Sequence, residues 1–82
     1  MNENMRTLIT GKSVILRLEI RTDIAKFGDV VTAINDEGGD LVAIDVIQTK
    51  RDVTIRDLTV NITESSLTDR IVERVRQLKG VT

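Results

Sequence analysis

Cysteine, histidine, proline, tryptophan and tyrosine are all missing from the 82 residues, and Phe27 is the one aromatic. Each absence removes a class of function. Without Cys or His there is no zinc finger, thiol redox centre or disulfide scaffold. Ser-His and Cys-His nucleophile pairs go with them. One ring cannot build a platform on which bases stack. A field of one sign is missing too. Twelve basic against thirteen acidic residues leave a net charge of −1, which argues against a phosphate backbone as partner. No apolar run approaches the roughly 18 residues of a membrane span, and no signal-peptide pattern is visible. The expectation is a soluble, cytoplasmic chain with no nucleic-acid or membrane partner, no catalytic residue, no metal site and no cofactor of its own.

What is present is β-branched. Ten Val, ten Ile and ten Thr suit pleated, half-buried strands, and the length is that of one small domain. Residues 1–12 read either as a leader or as an extra edge strand over Arg6–Thr10, turned at Gly11-Lys12. From Val14 to Ile20 the pattern alternates: Val14, Leu16, Leu18 and Ile20 face one way, and Ile15, Arg17 and Glu19 the other. The period then changes. Ile24, Phe27, Val31 and Ile34, with Val30 beside them, make the apolar stripe of a helix. Thr22 or Asp23 is placed to cap it, and Gly38-Gly39 to end it.

Leu41–Thr49 reads as a second strand, with Val42, Ile44 and Val46 on one face. Thr49-Lys50-Arg51-Asp52 is a polar hairpin tip. In the third strand, Val53–Thr63, the parity of Val53 and Ile55 differs from that of Leu58, Val60 and Ile62. A bulge at Arg56-Asp57 would restore a continuous face. A second helix begins at Ser66-Leu67-Thr68-Asp69 with a hydroxyl cap, buries Leu67, Ile71, Val75 and Leu78, and closes at Gly80. Val81-Thr82 begins something extended. The order βαββα(β) gives an α+β, ferredoxin-like sandwich with two helices on one face of an antiparallel sheet and a truncated last strand.

The stretch Ile20 to Ile47 carries a family resemblance. Phe27-Gly28-Asp29-Val30-Val31-Thr32-Ala33-Ile34, continued by Gly38-Gly39-Asp40-Leu41-Val42-Ala43-Ile44-Asp45-Val46, resembles the ACT domain, a regulatory module that often binds amino acids. Leu16-Arg17-Leu18-Glu19-Ile20 and Arg56-Asp57-Leu58-Thr59-Val60 narrow the resemblance to the N-terminal ACT domain of bacterial malic enzymes. It covers residues 13–82. It implies a non-catalytic, dimerising domain of an NAD(P)-dependent oxidoreductase, with a small effector such as an amino acid bound at the seam of a homo-oligomer.

The effector residues that it implies are Thr22, Asp23, Ile24 and Ala25 in the first loop, and Gly39, Asp40 and Leu41 where the second strand opens. At matching positions amino-acid-binding relatives carry Pro-Gly where this chain has Ile24-Ala25, and often Asn where it has Asp40. An ionised aspartate only accepts hydrogen bonds, whereas Asn also donates. A purely structural assembly domain without a ligand therefore stands beside the regulatory reading. Arg56 and Asp57, aimed to one face by a bulge, are the candidate interface pair; a solvated outer face is the other account of them. An enzyme of the acylphosphatase type on this fold needs a glycine-rich phosphate loop, and Arg21 to Ala25 holds no glycine.

Overall fold

The computed structural model describes residues 12–82, so the strand considered over Arg6–Thr10 lies outside the described residues. Five elements follow one another: β1 (Lys12–Arg21), α1 (Phe27–Asp36), β2 (Asp40–Thr49), β3 (Val53–Ile62) and α2 (Ser66–Arg76). The strands form one antiparallel sheet in the order β1-β3-β2, and both helices lie on one face of it. This is the α+β, ferredoxin-like arrangement. The final residues add to it: Val81 bridges Ile20, and Glu19 and Thr82 exchange two backbone hydrogen bonds of 3.0 Å. Together they make a short antiparallel bridge on the outer edge of β1.

Burial follows the alternation of β1. Leu18 and Ile20 are buried, and Val14 and Leu16 pack against the core. From the helices come Val30, Ala33 and Ile34 on α1 and Leu67, Ile71 and Val75 on α2, with Leu78 half-buried beyond them. Leu58, Val60 and Ile62 close the layer from β3. The helical stripe thus centres on Val30 rather than on Val31.

α1 ends in a Schellman motif. The N–H of Gly38 donates to the carbonyl of Asn35 and that of Gly39 to Ile34, both at 3.0 Å. Gly38 takes φ 94°, where a side chain would strain the backbone. The chain then enters β2 through Gly39, which lies against Ile71, Val60 and Ile34.

Four expectations are corrected. The first concerns the start of α1, which lies at Phe27 with Lys26 at the N-cap and no capping side chain. Thr22-Asp23-Ile24 is a separate turn in which the carbonyl of Arg21 accepts from both Ile24 and Ala25. The second is the hydroxyl cap of α2: the Ser66 Oγ donates to Glu64 at 2.7 Å, and no side chain caps the helix. α2 ends at Arg76, before Gly80.

The third is the bulge in β3. β1 and β3 pair without a shift from Lys12↔Ile62 to Arg21↔Val53. Thr54 and Arg56 simply continue the helix-covered face. The irregularities fall in β2, between Leu41 and Ala43 and between Val46 and Gln48. The fourth is the apolar face of β2, which no described residue covers: Ile44 is 45% exposed and Val46 58%. α1 is too short and starts too late to reach along the whole strand.

Candidate functional site

The first loop uses its own polar groups. The N–H of Thr22 donates to the carbonyl of Asp52 at 2.9 Å, tying the loop to the β2–β3 hairpin tip. Those of Ile24 and Ala25 donate to Arg21. Asp23 accepts from Arg21 Nε at 3.1 Å and Nη2 at 2.7 Å. These two bonds hold its carboxyl below the ordinary aspartate range. The Ile24 and Ala25 side chains lie over Gly80, where an added Cβ would stand 2.7 Å from Ile24 Cγ1 and 3.1 Å from Ala25 Cβ. Gly80 has φ 85°, so its missing side chain serves both the turn and this close approach.

The other expected group opens β2. Gly39 is buried, Leu41 is half-buried and Asp40 is exposed. Asp40 stands opposite Asn61, and Asn61 opposite Ser13. The first loop instead follows Arg21, at the far end of β1. Within one chain the two groups are therefore separated by the length of the sheet, roughly 25 Å at the usual rise of a strand. The structure does not bring them together.

Arg56 and Asp57 point to opposite faces. On the uncovered face Asp57 accepts Arg17 Nε at 2.7 Å and Nη2 at 2.9 Å. Arg17 thereby keeps the Asp57 carboxyl below its ordinary range. On the helix-covered face the Arg56 guanidinium lies over the Phe27 ring, its Cζ 4.5 Å from the centroid. Its Nε is shielded from solvent with no acceptor among the described residues.

Two cations of α2, Arg70 and Arg74, are engaged as well. Arg74 meets Glu37 at 2.8 Å and Asp36 at 3.4 Å, and Arg70 meets Glu37 at 3.5 Å. These pairs lash α2 to the C-terminal end of α1. Among the described residues no group of three or more carboxylates is placed to hold a metal ion.

Two surfaces escaped the pattern of the sequence. One is a groove of about 220 Å³ between the outer edge of β1 and α2, lined by Leu16, Leu18, Val72, Val75 and Val81 among others. The other is the free side of β2, along which Val42, Ile44, Val46 and Ile47 are exposed. Period-2 alternation marks which residues share a face; it carries no information on how far a neighbouring helix reaches.

Comparison with known proteins bears on what these surfaces belong to. Over 69 residues, 84% of the chain, the sequence is 38% identical to an NAD-dependent malic enzyme from Geobacillus stearothermophilus. The chain is similar to part of a malic enzyme. It spans 14% of that malic enzyme's length, so the likeness concerns a small part of the larger protein. No family model matches the chain, and no solved structure does. No helix among the described residues is long and apolar enough to cross a membrane.

Proposed function

We propose that this chain is a non-catalytic, ACT-type regulatory and dimer-forming module of a longer cytoplasmic malic-enzyme polypeptide, whose other parts carry the NAD(P)-dependent oxidoreductase activity, and that a small effector such as an amino acid binds at the seam between two copies. The observation that carries the reading is the free edge of β2. In the order β1-β3-β2 that strand has no partner on its outer side among the described residues, and its exposed apolar residues lie along it. Free edges invite pairing.

A two-fold axis across that edge would run two β2 strands antiparallel. Asp40 of one copy would then lie at the end of the sheet where the second copy carries Thr22–Ala25. The two groups, at opposite ends of the sheet within one chain, would then share one end of the joined sheet. An effector that binds one dimer arrangement better than another shifts the population toward it, and the coupling to the catalytic part is reciprocal.

A second reading, assembly without any ligand, is favoured by one observation. The amides of Ile24 and Ala25 are already consumed by Arg21, which leaves the loop without those donors for an effector's carboxylate.

Sedimentation mass and a thermal-stability screen decide between them. The expected mass is a dimer, reduced to a monomer by Ile44→Lys with Val46→Lys. The screen covers amino acids, malate, nucleotides and acyl-CoA, and a ligand of the native dimer raises the melting temperature. A dimer that no compound stabilises supports the assembly reading. A monomer that binds nothing overturns both.

A further inference from the structure

Arg17 spends its Nε and Nη2 on Asp57, and Arg21 spends the same two nitrogens on Asp23. Arg56 carries the same planar fork without a carboxylate to fill it. Its Nε is shielded from solvent and has no acceptor among the described residues. The cross-strand neighbours, Leu18 and Val46, have no polar side-chain atom to offer. A shielded donor left unpaired is destabilising, so the group is held ready for an acceptor at a cost to the fold. Phe27 fixes one face of the guanidinium, with Cζ 4.5 Å from the ring centroid, and leaves its edge for planar pairing.

Beside this cation the same side of the sheet carries apolar surface that no described residue covers. Val46 stands opposite Arg56, and Ile44 opposite Leu58. Val46 is 58% exposed and Ile44 45%. An unfilled cation and an uncovered apolar strip therefore lie next to each other.

We propose that Arg56, Phe27, Ile44 and Val46 form a binding site for a small carboxylate with an apolar tail. This rests on the reading that the module takes a small effector, and it names the chemical class of that effector. The carboxylate pairs with Nε and a terminal nitrogen of Arg56, the two-toothed geometry that Arg17 and Arg21 already use in this chain. The tail lies along Val46 and Ile44 and completes their burial. The amides of Ile24 and Ala25 are taken by Arg21, so the charge of the ligand is received by Arg56 rather than by the first loop.

Thermal unfolding of the 82-residue chain at neutral pH tests this, with isocaproate as the probe and isocaproamide and acetate as controls. Isocaproate at about ten times its dissociation constant should raise the melting temperature by about 5 °C. Isocaproamide lacks the charge and acetate lacks the tail, and each should shift it far less at the same concentration. Arg56→Met keeps an apolar stem over Phe27 and should fold but lose the response. The Nε–H NMR signal of Arg56 should move during the titration, a change that a purely structural arginine would not show.

A wild type that isocaproate does not stabilise overturns the proposal. So does a response that isocaproamide or acetate matches, one that survives in Arg56→Met, or an Nε–H signal that stays in place. Arg56 stands on β3, the middle strand, so Arg56→Met leaves the β2 edge intact and the sedimentation mass reports on assembly separately. A dimer that ignores isocaproate refutes this site alone. A monomer that responds to it keeps the site and refutes the seam between copies.

Discussion

Arg17 and Asp57 face each other across β1 and β3 and form a two-toothed ion pair, Nε to Oδ1 at 2.7 Å and Nη2 to Oδ2 at 2.9 Å. Asp57 also stands opposite Asp45 on β2. The row reads Arg17–Asp57–Asp45 across three strands. Like charges placed directly opposite destabilise a sheet, so Arg17 offsets a repulsion built into the row as well as forming a pair.

The pair carries a pH signature. Donation from Arg17 lowers the folded-state pKa of Asp57 below its ordinary value. A depressed carboxylate contributes stability that is present above the unfolded value of about 4 and is lost as pH falls through the folded value. Chemical denaturation from neutral pH downward should show the wild type losing stability below about pH 4 more steeply than Asp57→Asn does. Identical slopes in the two proteins would show that the pair contributes nothing to the acid limb.

Arg56 is expected to behave in the opposite sense. Its contact with Phe27 contributes about 0.5–1 kcal/mol. Its shielded Nε, without an acceptor among the described residues, costs about 1–3 kcal/mol. The second effect is the larger. Arg56→Met keeps an apolar stem over the ring and removes the unpaired donor, and should raise the urea midpoint by the equivalent of about 1 kcal/mol. A lowered midpoint with an unchanged m-value would show that the guanidinium is net stabilising where it lies.

Two glycines should respond in opposite directions to alanine. At Gly39 an added Cβ would lie 2.8 Å from both Ile71 Cδ1 and Val60 Cγ1, and 3.0 Å from Ile34 Cγ2. All three neighbours are buried core, so Gly39→Ala should cost about 1–3 kcal/mol by overpacking. At Gly28, in the first turn of α1, nothing lies within 4 Å of the added atom. Gly28→Ala should stabilise by roughly 0.5 kcal/mol through helix propensity. Thermal unfolding of the two variants side by side checks the contrast, and equal shifts would contradict it.

The pairs between helices are open to a double-mutant cycle. Glu37 receives both Arg74 and Arg70, and its side chain is 20% exposed. Glu37→Gln and Arg74→Gln should each cost about 0.5–1 kcal/mol, with a coupling of similar size. A coupling near zero would mean that apolar packing alone joins the helices.

The element order, the inward face of β1, the Gly38-Gly39 stop of α1 and the stripe Leu67–Ile71–Val75 of α2 are all legible in the residues alone. Those features are local: period, propensity and the left-handed freedom of glycine act within a few residues. The sequence pattern misplaced the start of α1, because two amides bonding one carbonyl make a turn that Thr22 and Asp23 do not announce. It put the irregularity in β3 rather than β2, because the apolar Val42 and Ile47 hide a shift, whereas the polar Thr54 and Arg56 resemble one.

The remaining features arise from the packing in three dimensions. It separated Thr22–Ala25 from Gly39–Leu41, sent Arg56 and Asp57 to opposite faces, and left β2 and the groove beside β1 uncovered. Which residues share a face follows from covalent geometry. Which faces stay open depends on where two short helices lie on a longer sheet, and that is set by the packing of all five elements at once.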